Sequence, residues 1–483
     1  MNELELREIL SILEEVQIAS ECEGLHGDQV TSLKRYSRSI KFHTALHESN
    51  MSDADLACLT ESEEQALLGS EALAEIDISR LREKLAKAPV RFTHAEPPST
   101  TATLAFSFAR VWRFVQREIP NTQFILATDT RYRPHASVQE WLPDCYLILM
   151  GRYFIYDVIV LANILAKYIS DVIVDLGNQP WLSEYFGSSF TAAMERCELR
   201  YQFAYKLCSC AEGERYRFAV QMPSDPMIDQ IANEIATGAL DFLVGHELAH
   251  VVSGHLCQST TIPDAFPSWL NQACEVLRAN LGKNADNYLT TYQMQFFASH
   301  KRELDADSLG LLFAAGDGPT GAWDLRLFGA QIVVCLISFL DRAHHFLEFK
   351  KDPVAIIGLQ AYNIFGMIDL LLPKESHPWG KTRASHLNSI LFSLYHNLFS
   401  QAELKRKARL MLLVQETFCR YVPYALGAMQ FINSRPGEYV SALMPEGKLW
   451  TRYFSATPGV EPVKEDTITL ASEFYGTAQK IIW

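Results

Sequence analysis

The sequence is poor in the features that mark disulfide-built, nucleic-acid-coating or membrane-spanning chains. Its ten cysteines are scattered at Cys22, Cys58, Cys145, Cys197, Cys208, Cys210, Cys257, Cys274, Cys335 and Cys419, with no C-x-x-C pair among them. That spacing fits reduced, mostly buried thiols of a cytoplasmic protein. Cys208 and Cys210 stand too close for the usual paired zinc ligands. Positive charge is also in deficit: 43 Lys and Arg against 57 Asp and Glu leave a net charge of -14. Broad nucleic-acid binding or adhesion to an anionic membrane is therefore not expected. No long apolar run is clean enough to span a bilayer. Leu147 to Val174 carries Arg152, Asp157, Lys167 and Asp171, Val354 to Leu372 contains Gln360, Asn363 and Asp369, and Leu327 to Leu340 is too short. Stable membrane insertion is not expected, and the acidic start Met1-Asn2-Glu3-Leu4-Glu5 lacks the basic and apolar regions of a signal peptide. Internal repeats, Gly-rich phosphate loops and low-complexity segments are absent.

What is present is a core-forming composition, 48% hydrophobic and 21% charged over 483 residues. That length accommodates two or three domains, or one large helical body with appendages. Residues 3 to 18 place Leu4, Ile9, Leu10, Ile12, Leu13 and Val16 at helical spacing, and Ser52 to Lys87 reads as two or three short acidic helices. Residues 1–92 thus form a helical arm, which either packs its apolar stripe on the core or receives a regulatory protein partner. Thr93-His94-Ala95-Glu96-Pro97-Pro98-Ser99-Thr100-Thr101 is polar and proline-containing, and residues 93–103 read as a linker. Beyond it, Leu104 to Arg117 reads as a helix and Gln123 to Thr128 as a strand. Asp129 to Pro143, with Arg131, Arg133, Pro134 and His135, reads as a loop. Cys145 to Met150 is a strand or the start of the apolar helix that follows. Tyr216, Phe218, Val220 and Met222 alternate with polar or small residues, a strand pattern placed to pair with an extended substrate.

One stretch specifies chemistry by itself: Gly245-His246-Glu247-Leu248-Ala249-His250-Val251-Val252-Ser253-Gly254-His255. Two histidines four apart lie about 40° apart around an α-helix and one turn along it, so both imidazoles can face one metal ion. Zn2+ is the expected cofactor. A carboxylate beside the metal rather than on it, as at Glu247, can take a proton from an activated water and pass it to a leaving amine. Leu240, Phe242, Leu243, Val244, Leu248, Val251 and Val252 supply the apolar surface of a buried helix, and Gly254 is a stop signal. Without a metal, the same pattern is a core helix with satisfied histidines.

A catalytic zinc site needs a third protein ligand and an open position. His255 lies nine residues after His246, on the opposite side of a continuous helix, and its offset does not match the metzincin pattern. The alternative is Lys301-Arg302-Glu303-Leu304-Asp305-Ala306-Asp307. There Glu303 and Asp307 share a helix face, so Glu303 can ligate while Asp307 accepts a bond from the distal nitrogen of a zinc histidine. The bland reading of that segment is a solvated charged face. Leu256 to Pro267 reads as a loop, Trp269 to Leu281 as a helix and Gly282 to Asn287 as a turn, an insertion able to wall or cover a cleft.

With His246-Glu247-Leu248-Ala249-His250 and His255 at its tail, then Glu303-Leu304-Asp305-Ala306-Asp307, then Ser376-His377-Pro378-Trp379-Gly380-Lys381-Thr382-Arg383, the chain resembles gluzincin metallopeptidases of the HtpX and CAAX prenyl protease type over roughly residues 230–390. The resemblance implies Glu303 as third zinc ligand, Glu247 as general base, and His377 and Arg383 near the active site. It assigns His377 to the developing oxyanion as a positioned donor. The plainer reading of the third block is a helix start after Pro373 and Pro378, with Arg383 in a structural ion pair. Many relatives are membrane-embedded, so a membrane or prenylated substrate does not carry over to a chain without clear spans.

The expected architecture is mainly α (α+β): a helical zincin-like core with a small β-sheet at 104–400, flanked by the arm and by a helical region at 401–483. Toward the C-terminus, Leu387 to Phe431 reads as one or two helices, Ser434 to Gly437 as an exit and Ile468 to Ile482 as a final helix. The expected function is a cytoplasmic, regulated zinc endopeptidase acting on a protein or peptide substrate. The alternative is a catalytically inactive binding or regulatory protein on the same fold.

Overall fold

The computed structural model describes residues 3–24, 78–129, 136–175, 225–256, 297–316 and 323–349 as continuous stretches, with isolated positions between 37 and 46, 278 and 290, and 383 and 394. The chain is mainly helical with one mixed sheet. In order run α1 (Glu3–Gly24), α2 (Ile78–Lys87), β1 (Val90–Phe92), α3 (Pro98–Val115), β2 (Gln123–Asp129), β3 (Ala136–Leu142), β4 (Cys145–Gly151), α4 (Arg152–Asp175), α5 (Pro226–Val252), α6 (Phe297–Ala315) and α7 (Trp323–Phe349). The chain divides into two compact units, residues 1–167, 213–258 and 306–333 in one and residues 168–212, 259–305 and 334–483 in the other. The division at 305/306 falls inside α6, which is a single continuous helix.

The first unit is built around the sheet, in the order β1-β2-β4-β3. β1, β2 and β4 run parallel, and β3 returns antiparallel to β4 at the edge. β2 is buried at every residue after its first, as expected of a strand covered on both faces. Its alternate side chains serve the two faces. Ile125 and Ala127 meet Leu6, Ile9 and Leu13 of α1, while Phe124 packs against Phe108 and Trp112 of α3 with ring centroids 5.3 and 5.8 Å away. The stripe of the N-terminal helix thus buries as packing requires, with Ile12 and Val16 left exposed.

Two local expectations change, and one left open between strand and helix is decided. Ala136 to Leu142, expected as loop, is strand β3; at an exposed edge the alternation that signals a strand fades, and the Pro143-Asp144 turn, with Asp144 at φ 57°, sends the chain straight back along β4. Cys145 to Gly151 is a strand throughout, and α4 begins directly after it. The stretch from Thr93 to Thr101 is not an exposed tether: α3 starts at Pro98, and Thr93, Glu96, Thr100 and Thr101 are buried. Its polar residues are satisfied by partners on other elements, Thr93 by Gln17 and Thr101 by His43. Glu96 accepts from Thr128 N–H at 2.6 Å, from the Thr128 hydroxyl and from Gln17 Nε2, while Arg152 stands 3.9 Å away. Burial pushes the Glu96 carboxyl above its ordinary range despite that Arg152 charge and those bonds. The expected strand at 216–222, the segment 52–77, the insertion at 257–287 except for Arg278 and Asp286, and the C-terminal helices beyond 394 lie outside the described residues.

α5 is the axis of the first unit. Asp225 caps its start by accepting from the N–H groups of Met227 and Ile228, and Pro226 occupies the first turn, where no donor is needed. Apolar residues face out all around it, and 18 of its side chains or glycines, from Ile228 to Val251, are buried. Among the described residues α5 is the one helix long and apolar enough to cross a membrane, but 83% of its apolar window is buried inside the protein, so it reads as a core helix. Two neighbours fix its rotation. Arg110 of α3 grips buried Asp241 through Nε and Nη2, both at 2.8 Å, and Ser107 donates to the same carboxylate. α7 crosses with backbone in near contact: a Cβ on Gly329 would lie 2.0 Å from the Ile235 carbonyl, and one on Gly238 would lie 2.1 Å from that of Arg326. No residue but glycine fits at either point.

α1 is tied to the segment after β1 by Glu14, which accepts from the His94 N–H at 2.8 Å and lies 3.2 Å from its ring Nδ1. Partial burial alone would raise the Glu14 carboxyl, yet the bonds and charge of His94 hold it below its ordinary value; the same side-chain bond lifts His94 above its own. Glu14 therefore stabilises above the reference value of 4.5, fading as pH falls through its lowered value, and His94 stabilises below 6.5, fading as pH rises through its raised one. With His94 half exposed, His94→Ala should cost roughly 0.2–1 kcal/mol. Urea denaturation should show that loss near about pH 5.5 and a smaller one at about pH 9; a loss that grew with pH would contradict the pairing.

Candidate metal centre

The site is assembled where α5 crosses α6. Gly245 of α5 and Gly310 of α6 meet face to face: a Cβ on Gly310 would lie 3.0 Å from the backbone nitrogen of His246 and 3.1 Å from the carbonyl of Phe242, and one on Gly245 would lie 3.2 Å from the Gly310 Cα. Without side chains between them the helices approach closely enough for His246 Nδ1 to stand 2.9 Å from Asp307 Oδ1. Asp307 is wholly buried, and Glu303 precedes it by one turn on the same helix.

On α5, His246 and His250 face each other as their spacing requires, with Nε2 atoms 3.2 Å apart and ring centroids at 4.8 Å. A carboxylate oxygen of Glu303 joins them, so that one ligand atom from each of the three residues lies within 4.8 Å of the other two. Among the described residues this is the one such group, and all three members are buried. The donor set fits a metal. Ligands at about 2.0–2.1 Å in a tetrahedron have nitrogens about 3.3 Å apart, close to the spacing of the two imidazoles, and two nitrogens with one oxygen is a zinc-type set. Three carboxylates, Glu247, Glu303 and Asp307, are buried here at 2%, 7% and 0% exposure. A divalent cation held there would supply positive charge that offsets the cost of desolvating them.

Residues 225–391 match the family model of Peptidase family M48. The matched span starts at the N-cap of α5 and takes in both helices of the metal group and Arg383. It supports a metallopeptidase, a hydrolase of peptide bonds, and so bears out the coarser part of the resemblance read from the motifs. The comparisons with curated proteins and with solved structures gave no match.

The sequence-expected residues divide into those the fold brings together and those it leaves apart. His246, His250, Glu303 and Asp307 converge, and Glu247 is buried beside them on α5. Arg383 is buried in the second unit, where His386, three residues on, donates from Nε2 to the carbonyl of Leu304 at 3.1 Å. His377 lies outside the described residues. The position of His255 is a correction. It does not lie across the helix axis, because α5 has already ended: Gly254 takes φ 63° and the chain doubles back, leaving His255 Nδ1 3.0 Å from His250 Nδ1. The Gly254 stop signal was the clue, since a helix that stops there cannot carry His255 round to its far side. The Gly245–Gly310 contact had no such signal, because a glycine in a helix does not announce its neighbour.

An acceptor on the distal nitrogen of a ligating histidine is worth roughly 10–100-fold in metal affinity. Asp307→Ala should weaken zinc binding by about that factor in a chelator competition. Equal affinities in the variant and the parent would contradict the role given to Asp307.

Proposed function

We propose that the protein is a zinc-dependent endopeptidase of the gluzincin type, resembling the HtpX and CAAX prenyl protease enzymes in its motifs, which hydrolyses peptide bonds of a protein substrate. The observation that carries this reading is the convergence of His246, His250 and Glu303 on one point, with Glu247 on the same helix. His246 and His250 would hold the ion through Nε2 and Glu303 through a carboxylate oxygen. Bound zinc supplies Lewis-acid polarisation of a water and of the scissile carbonyl. Glu247 accepts the proton of the attacking water and delivers it to the leaving amine, a role that needs a carboxylate near the ligands but not among them. Asp307 holds the ring of His246 in place. From the sequence resemblance, His377 donates to the oxyanion.

The substrate strand has a candidate in β3. It is one of the two edges of the sheet, it has β4 on one side only among the described residues, and it lies against α5. An extended peptide can add to such an edge through backbone hydrogen bonds, which supports a protein substrate read by shape more than by side-chain sequence. The burial of His246, Glu247, His250 and Glu303, none above 8% exposed, supports a regulated activity in which access must be opened. A cytoplasmic location belongs to the same reading, supported by the buried thiols of Cys145 and Cys335, neither in a disulfide.

Elemental mass spectrometry of the purified chain should find about one zinc per molecule. Glu247→Gln should keep that zinc yet cut the cleavage of fluorescein-labelled casein by roughly 10²–10⁴-fold. Undiminished cleavage by Glu247→Gln would overturn the assignment of the base, and a parent that takes up no zinc would overturn the reading as a whole.

A further inference from the structure

We propose that His255 is a positioning residue that fixes the ring and the tautomer of His250 for metal binding, an inference that rests on the zinc peptidase reading above. The observations start from the end of α5. Gly254, in the left-handed region at φ 63°, donates its N–H to the carbonyl of Val251 at 3.0 Å, and His255 donates its N–H to the carbonyl of His250 at 3.0 Å. Those two bonds, spanning three and five residues around a left-handed glycine, are the pattern that closes a helix and folds the next residue back over its last turn. The imidazole of His255 is thereby laid against that of His250, with centroids 5.2 Å apart, rings inclined at 67° and Nδ1 atoms 3.0 Å apart. His255 is itself 9% exposed, so it is held inside the protein.

A neutral imidazole has one N–H and one bare nitrogen. His250 Nε2 is the atom that faces His246 Nε2 at 3.2 Å, so it must be the bare one if His250 is to ligate. Its proton then sits on Nδ1, and His255 Nδ1 is the acceptor at hydrogen-bond distance. His255 carries its own proton on Nε2. Each zinc histidine thus has a different distal acceptor: a carboxylate, Asp307, for His246 and an imidazole, His255, for His250. The choice has a physical reason. Three carboxylates are already buried in the site, and a neutral acceptor orients the second ring without burying a fourth negative charge.

The test uses the full chain stripped of metal, with zinc affinity measured by competition against a chromophoric chelator and ligand geometry by the visible spectrum of the cobalt-substituted protein. His255→Asn keeps an acceptor oxygen close to the place of Nδ1. His255→Phe keeps the ring volume and removes the acceptor. We expect His255→Phe to lose about 10–100-fold in zinc affinity and to change the cobalt spectrum. His255→Asn should stay close to the parent in both, with the two variants melting at the same temperature when metal-free. Parent-like affinity and spectrum in His255→Phe overturn the proposal. So do equal losses in both variants accompanied by equal drops in metal-free Tm, which would make His255 a packing residue. Failure of the underlying reading looks different: a parent that binds no zinc, or zinc binding indifferent to His250→Ala, removes the peptidase site and the role of His255 with it.

Discussion

The close approach of two helix backbones is the constraint on which the rest depends. At Gly245 and Gly310 the main chains of α5 and α6 come so close that a methyl group on either glycine would crowd the other helix, at 3.0 to 3.2 Å from its backbone. Only at that distance can a short Asp side chain on one helix reach a histidine on the other. The crossing also fixes Glu303, because a residue one turn from Asp307 shares its face and points to the same region of α5. Two further contacts hold α5 in register. Gly238 meets Gly329 of α7 backbone to backbone, and Asp241 is clamped by Arg110 and Ser107 of α3. Successive residues of a helix turn by about 100°, so a slip of one position would carry His246 away from Asp307. Helix packing, not loop conformation, therefore sets the geometry of the metal group.

The sheet holds this arrangement in place. β2 and β4 present apolar residues to α1 on one face, Phe124 of β2 packs on α3 from the other, and α3 in turn holds Asp241. The fully buried Phe108, Phe124 and Phe242 each contribute about 1.5–3 kcal/mol by leaving water. At the ends of β1, β2 and β4 the polar groups of Thr93, Glu96, Thr128 and Arg152 are joined by Gln17 of α1, so the N-terminal helix closes a buried polar cluster as well as an apolar face. Of the two edge strands, β1 and β3, it is β3 that lies beside α5.

How much of this was legible follows from whether each feature is local. The face shared by His246 and His250, and that shared by Glu303 and Asp307, depend only on helical spacing, so both pairs could be read without knowing the fold, while Glu303 as third member of the candidate metal group came from the resemblance of the three motifs. The strand at Gln123 to Asp129 was equally plain, because burial on both faces leaves a continuous apolar run. β3 was hidden for the opposite reason: Ser137, Gln139 and Glu140 face water at a sheet edge, and too little apolar alternation survives. Thr93 to Thr101 misled because a buried polar network and an exposed linker draw on the same residue types. The crossing glycines carried no signal at all, since their value lies in a partner far away in sequence. His255 was placed on the wrong side by extending α5 past a glycine that ends it.

The most direct measurement is X-ray absorption at the zinc edge of the loaded protein. The α5–α6 crossing predicts two imidazole nitrogens and one carboxylate oxygen from the protein, at about 2.0–2.2 Å, with a further light atom in the open position. A sulfur neighbour at about 2.3 Å, or three imidazoles in place of two, would contradict the ligand set that the crossing assembles.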